Sequence, residues 1–225
     1  DIGIEKVLIE SLPEFVNPKH FAYTNAPQIE IAIGLESSNP IVLDKSVNKR
    51  LRWSHFVKVC KLARDNGAEV KAYILLKPPY LSEKEAIKDA VQSAIDAAPH
   101  VDKISINPVN VQKNTVIEKM WFRNEWMAPW LWSVVEVLKR CQDLPVRVYS
   151  DPTGGGTRRG AHNCHDCNNK ILEALKNHRL GLGDLIGLDC ECRPRWDFLT
   201  KQSSLRRNGA EPHGYRSGFT GGRHF

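Results

Sequence analysis

Four of the six cysteines fall in two tight pairs, Cys164-His-Asp-Cys167 and Cys190-Glu-Cys192. Thiolates so spaced can share one metal ion, each pair supplying two corners of a tetrahedron, which suits zinc. The same ligands also hold auxiliary iron–sulfur clusters, so both readings stand. His162 and His165 flank the first pair, and either could replace a cysteine. Cys60 and Cys141 are isolated among apolar neighbours and read as buried structural thiols. Paired cysteines without secretory features point to metal rather than disulfides, in a reducing and therefore cytoplasmic setting.

A second constellation is spread along the chain. Glu10, Glu36, Lys77, Asn107 and Asp151 each stand where a short apolar run stops. If those runs are parallel strands, the five side chains gather on one rim, where α/β barrels carry their chemistry. Any one of them could instead cap the next helix. A third candidate is the run Thr153 to Gly160, TGGGTRRG. Its glycine N–H groups could cradle a phosphate, with Arg158 and Arg159 pairing the charge. No Gly-Lys-Ser/Thr follows, so it is not a Walker loop, and a plain linker fits as well.

These residues need elements to hold them. Lys6 to Ser11, Ile29 to Ile33, Val70 to Leu76, Val101 to Ile106 and Val146 to Ser150 read as strands. The second is almost uninterrupted apolar sequence, as expected for a parallel strand covered on both faces. Between strands, Trp53, Phe56, Val57, Cys60 and Ala63 recur at helical spacing and Asn66-Gly67 supplies a stop. Ser82 to Glu85 matches a capping box ahead of the stripe Ala86, Ile87, Ala90, Val91, Ala94 and Ile95. Trp130 to Leu138 marks a further helix, and Asn168 to Asn177 a short one between the cysteine pairs. The pattern is a parallel α/β array over residues 1–152, a cysteine-rich metal module over 153–199 and a basic flexible tail over 200–225.

Charge sharpens that division. Residues 193–225 hold seven Lys/Arg against Asp197 and Glu211, which accounts for five of the net charge of +6. A basic tail on a near-neutral body suits a polyanion such as RNA, or is simply a solvated end. No apolar run is long enough for a transmembrane helix. Trp121, Phe122, Trp126, Trp130 and Trp132 crowd one stretch. They could stack on a base, though helix packing or a lid over the barrel is the simpler reading.

The ordered set IES-x-PE (from Ile9), IGLES (from Ile33), VKAYILLKPP (from Val70) and SINPVNVQKNT (from Ser105) resembles the radical S-adenosylmethionine enzymes. The nearest branch is the elongator-like tRNA-modifying group. Within it, NPVNVQKNT and the trailing NCHDC are most similar to the archaeosine-forming radical enzymes of archaea. The resemblance implies a partial (β/α)6 barrel and a 4Fe–4S cluster. It also implies S-adenosylmethionine cleaved to a 5′-deoxyadenosyl radical. The implied reaction breaks a C–N bond in a lysine-bearing 7-deazaguanine of tRNA, leaving archaeosine. A separate enzyme, with which this one could form a complex, attaches the lysine.

Carried onto this chain, Glu36 would lie near the ribose or amino end of S-adenosylmethionine. Glu10 would occupy the adjacent strand end and Asn107 the adenosine side, with Lys77 a fourth cofactor-binding candidate. Cys164, Cys167, Cys190 and Cys192 remain the metal candidates, and Arg158, Arg159, Arg206 and Arg207 the RNA-binding ones. Two departures stand out. Leu12 follows the first ES, where relatives often have Arg. The cluster-binding CxxxCxxC motif, which in the family follows the first strand, is absent, and the chain starts at Asp1. The expectation is a fragment lacking the barrel's first strands, inactive alone, with that motif encoded upstream. Two alternatives remain: a non-enzymatic zinc-containing RNA-binding protein on an α/β scaffold, and a radical enzyme acting on another tRNA base.

Overall fold

The computed structural model describes residues 3–21 and 28–201. Its centre is a sheet of five parallel strands, β1 (Lys6–Ser11), β2 (Gln28–Glu36), β3 (Glu69–Leu76), β4 (Lys103–Pro108) and β5 (Arg147–Tyr149). They lie side by side in chain order, β1-β2-β3-β4-β5. An order that never reverses has no switch point of the doubly wound kind. It is the winding of a barrel wall, with crossovers packed on one face.

The crossovers follow the sequence signals closely. After β2 comes one turn, α1 (Pro40–Val42), which continues as a π-helical turn over Leu43–Val47. Next is α2 (Trp53–Asp65), which buries Phe56, Val59, Cys60 and Ala63 and ends at Asn66 and the left-handed Gly67. Helix α3 (Glu83–Ala97) opens on the expected capping box. The Glu85 N–H donates to the Ser82 hydroxyl at 3.3 Å, and the Ser82 N–H donates to the Glu85 carboxylate at 2.9 Å. Such a cap contributes roughly 1 kcal/mol. The α3 stripe is mostly alanine, which lets the helix lie close to the sheet; Ile95 turns outward.

Then come α4 (Val116–Phe122) and α5 (Leu131–Arg140), followed after β5 by α6 (His165–Leu180) and α7 (Arg193–Lys201). Helix α7 was not expected. Its sequence is polar, and Trp196 alone anchors it by burial. One apolar core joins the outward-facing residues of the strands, such as Ile31, Ile74 and Ile106, to α2, α3 and α5. Cys167, Ile171 and Leu175 of α6 and Trp196 of α7 belong to that same core. Each fully buried Ile or Leu there is worth roughly 1.5–3 kcal/mol.

The other face of the sheet is polar, because side chains alternate with a period of two. Near its amino edge, Glu30 and Glu69 meet three lysines. Lys71 reaches Glu30 at 2.6 Å, Lys6 reaches Glu69 at 2.8 Å, and Lys103 bridges both carboxylates. The lysines hold Glu69 down to about 2, Lys103 first and Lys6 second. This knot was missed in the sequence because Glu30 interrupts an apolar run. A lone Glu inside such a run, opposite Lys in the neighbouring strands, was the available signal.

Candidate functional site

At the carboxyl edge of that polar face lies an open cleft of about 800 Å³. Glu10, Glu36, Asn107 and Asp151 line it, with Tyr73, Ser105 and Tyr149 below and Asn110, Gln112 and Thr115 at the side. Four of the five strand-end residues singled out in the sequence therefore share one hollow.

Each is held differently. The Tyr73 hydroxyl donates to Glu10 at 2.7 Å; burial and that carboxylate push the phenol well above its usual range. The Ser105 hydroxyl donates to the Asn107 side-chain oxygen at 2.8 Å, which leaves the amide N–H₂ as the donor free of that bond. Arg179 of α6 pairs with Asp151 at 3.2 Å.

Glu36 sits on a bulge at the end of β2, with φ at +65°. Lys49 donates to its carboxylate at 3.1 Å and to the Gly34 carbonyl at 2.5 Å. Gly34 leaves room for this pairing. A Cβ at that position would lie 2.3 Å from a Glu36 carboxylate oxygen and 2.8 Å from the Lys49 ammonium. The next residues fasten the loop to α3. The Ser37 hydroxyl donates to Asp89 at 3.0 Å and that of Ser38 to Asp96 at 2.6 Å. Asn39 caps α1 by accepting from the Ile41 N–H at 3.0 Å. Lys49 was not singled out, and no local motif marks it.

Lys77 is placed apart from the cleft. Its backbone is left-handed, with φ at +62°, and its ammonium is buried 2.7 Å from Glu83 in the helix layer. Glu83 also accepts from the Trp130 N–H at 2.9 Å and from the Ser133 hydroxyl at 2.5 Å. Trp196 in turn donates to Ser133 at 2.7 Å. Lys77 thus ties the end of β3 to α3, α5 and α7.

The four clustered cysteines do converge. Cys164 occupies the residue just before α6 and Cys167 lies in its first turn, while Cys190 and Cys192 lie just before α7. Sulfur separations are 3.4 Å for Cys164–Cys190, 3.7 Å for Cys164–Cys167 and 3.7 Å for Cys167–Cys192, and all four sulfurs lie within 4.8 Å of one another. A metal 2.3 Å from each sulfur of a tetrahedron sets them about 3.8 Å apart, so the set can hold one ion. The Trp132 indole N–H donates to Cys192 at 3.3 Å, and Arg193 lies over that ring. His162 instead contacts the Gly160 carbonyl at 2.9 Å. Cys60 and Cys141 are buried, as expected, and burial pushes their thiols up to about 12 and about 11.

The glycine loop is no phosphate cradle. The Gly155 and Gly156 N–H groups donate to the Pro152 and Ala161 carbonyls, and Gly160 packs against the Gly154 carbonyl where a Cβ has no room. Its arginines divide the work. Arg159 pairs with Glu118 at 2.7 Å and reaches the Val111 carbonyl, fastening the loop to α4. Arg158 is exposed, its guanidinium 5.6 Å from the Trp121 ring centre. Arg206 and Arg207 lie outside the described residues.

No family model matches this chain. It is 40% identical over 220 residues to archaeosine synthase subunit beta of Thermococcus kodakarensis, matching 90% of this chain and 65% of that protein. It is 38% identical over 207 residues to the protein of that name from Methanosarcina acetivorans, matching 87% of this chain and 59% of the relative. The chain is a relative of archaeosine synthase subunit beta. It spans about three fifths of the length of these curated relatives. Among solved structures, Elp3 of Methanocaldococcus infernus, lacking residues 1–46, superposes with a TM-score of 0.56. That match covers 78% of this chain and 42% of Elp3 at 17% identity. The sheet and its helices thus share the α/β fold of Elp3, with a four-cysteine cluster near the carboxyl end of the described residues.

Proposed function

We propose that this chain is the barrel wall and cysteine module of a radical S-adenosylmethionine enzyme acting on tRNA. The reaction is the C–N cleavage that turns a lysine-bearing 7-deazaguanine into archaeosine. The reading rests on one observation: Glu10, Glu36, Asn107 and Asp151 surround a single nucleoside-sized cleft. The ligand class presents an ammonium, two ribose hydroxyls and a purine edge. Carboxylates accept from the first two, and an amide pairs with the third. The Glu36–Lys49 pair fixes the carboxylate that would face the ammonium or ribose. Glu10, oriented by Tyr73, stands one strand over.

When bound with its 4Fe–4S cluster, S-adenosylmethionine supplies the radical that takes a hydrogen from the substrate. The four clustered cysteines lack the CxxxCxxC spacing of that cluster's ligands, which would come from elsewhere in the full-length protein. Among the described residues β1 is an edge strand, and its Leu8 is 47% exposed, a surface on which such a segment could pack. Cys164, Cys167, Cys190 and Cys192 would hold a single tetrahedral ion such as zinc, because a multi-iron cluster puts its thiolates on different irons and spreads them wider. The relatives' name makes them one subunit of a synthase, which supports a lysine-attaching partner for this chain too.

Calorimetry of the anaerobically reconstituted full-length protein with S-adenosylmethionine tests the cleft. Glu36→Gln should weaken binding at least tenfold. Nucleoside mass spectrometry of tRNA from a deletion strain tests the reaction. Loss of archaeosine with accumulation of the lysine-bearing precursor is expected, and unchanged archaeosine would overturn the proposal.

A further inference from the structure

The crowded aromatic stretch separates into two groups in three dimensions. Trp126, Trp130 and Trp132 are buried and serve packing. Trp121 is half-buried and Phe122 is 66% exposed, their ring centres 5.1 Å apart and edge to face. Two guanidinium groups lie over the Trp121 ring, Arg159 at 5.1 Å and Arg158 at 5.6 Å. Lys113, Lys119 and Arg123 of the same stretch are exposed. The acids of this stretch are Glu118, already paired with Arg159, and Glu125. An exposed ring beside surplus positive charge is complementary to a ligand that offers a π face and phosphates.

The patch adjoins the cleft. Gln112, Thr115 and Ile117 line the cleft wall. Trp121 lies four residues after Ile117, on the same face of α4. A satellite apolar cluster of Val109, Val111, Trp126 and Ala128 props that face from beneath. Arg159 pins α4 to the loop after β5, so the platform is held from two sides.

We infer that Trp121, Phe122 and Arg158 form a stacking platform for an unpaired nucleotide of the RNA strand that enters the cleft, with Lys113, Lys119 and Arg123 tracking its phosphates. The inference rests on the tRNA reading above and specifies where the strand is gripped. Stacking accepts any base because every base has a π face, while the lysines and Arg123 neutralise the backbone. A folded tRNA arm can be held this way only if one nucleotide next to the target is splayed out.

The test uses full-length protein and measures binding of a D-arm oligoribonucleotide and of the same oligonucleotide made abasic at single positions. Phe122→Ala removes an exposed ring and no core contact, so folding is not at stake; Trp121→Ala is the second variant. Each should weaken binding about 5- to 150-fold, the range expected for one lost stacking contact. One abasic position should weaken the wild type by a similar factor and leave Phe122→Ala unaffected. The triple change Lys113→Gln, Lys119→Gln, Arg123→Gln should flatten the salt dependence, by a slope of about 0.7 per lost phosphate contact. RNA binding that is tight in the wild type and equal in all variants overturns the platform while leaving the tRNA reading intact. Variants that lose activity or partner binding at unchanged RNA affinity also overturn it and mark a protein interface. A wild-type protein that binds no RNA overturns both.

Discussion

The Lys49 ammonium lies 3.1 Å from the Glu36 carboxylate and 2.5 Å from the Gly34 carbonyl, closing a small ring at the end of β2. The absence of a Cβ at position 34 leaves space for it. Gly34→Ala would put a methyl 2.3 Å from the carboxylate and force the pair apart. We expect an S-adenosylmethionine affinity at least tenfold weaker by calorimetry, with the far-ultraviolet circular dichroism unchanged.

The Lys77–Glu83 pair is buried, with the two side chains 5% and 2% exposed. Removing one partner strands the other charge, at a cost of about 3–5 kcal/mol. Glu83→Ala should lower stability by about that amount in urea titration, because Trp130 and Ser133 also lose their acceptor. The double change Lys77→Met, Glu83→Gln should recover a large part, since no unpaired charge is then left inside.

Acid and neutral pH pull on two different carboxylates. Lys103 and Lys6 hold Glu69 down to about 2, below its ordinary 4.5. Its contribution is complete above about pH 4.5 and is lost as pH falls toward 2. Burial drives Asp89 the other way, up to about 6, against the hydrogen bond from Ser37. A raised acid favours the folded state when protonated, so its contribution is present below its ordinary 3.8 and is lost as pH rises through about 6. Thermal melts from pH 3 to 8 should show Asp89→Asn gaining on the wild type between about pH 4 and 6 and holding that gain above.

Metal at the four cysteines should be stoichiometric and optically reported. One zinc per chain is expected by elemental analysis, in a preparation without the visible absorption of iron–sulfur clusters. Chelation or Cys167→Ala should remove it, lower the melting temperature and change the fluorescence of Trp132, whose N–H donates to Cys192. Brown protein with several irons at this site would refute the zinc assignment.

Much of the fold was written in local patterns. Short apolar runs marked all five strands, and the Ser82 and Gly67 signals marked helix ends where the backbone places them. The cysteine pairs announced their convergence through spacing alone, because a two-residue gap at the start of a helix brings two sulfurs to one side. Helix α7 escaped notice because its one fully buried residue, Trp196, meets partners far away in sequence.

Residue types and spacing alone determined that polar groups end each strand and that thiols come in pairs, since both follow from short-range periodicity. Which strand-end groups face the cleft was decided only by tertiary structure. Alternation along β3 puts Lys71 and Tyr73 on the polar face and would put Lys77 there as well. A left-handed backbone at Lys77 and the buried carboxylate of Glu83 draw it into the helix layer. At Glu36 a similar positive φ leaves the side chain in the cleft, because Lys49 comes round from the next loop to hold it there. Partners supplied from another element settle such a choice, and a single stretch of sequence does not contain them.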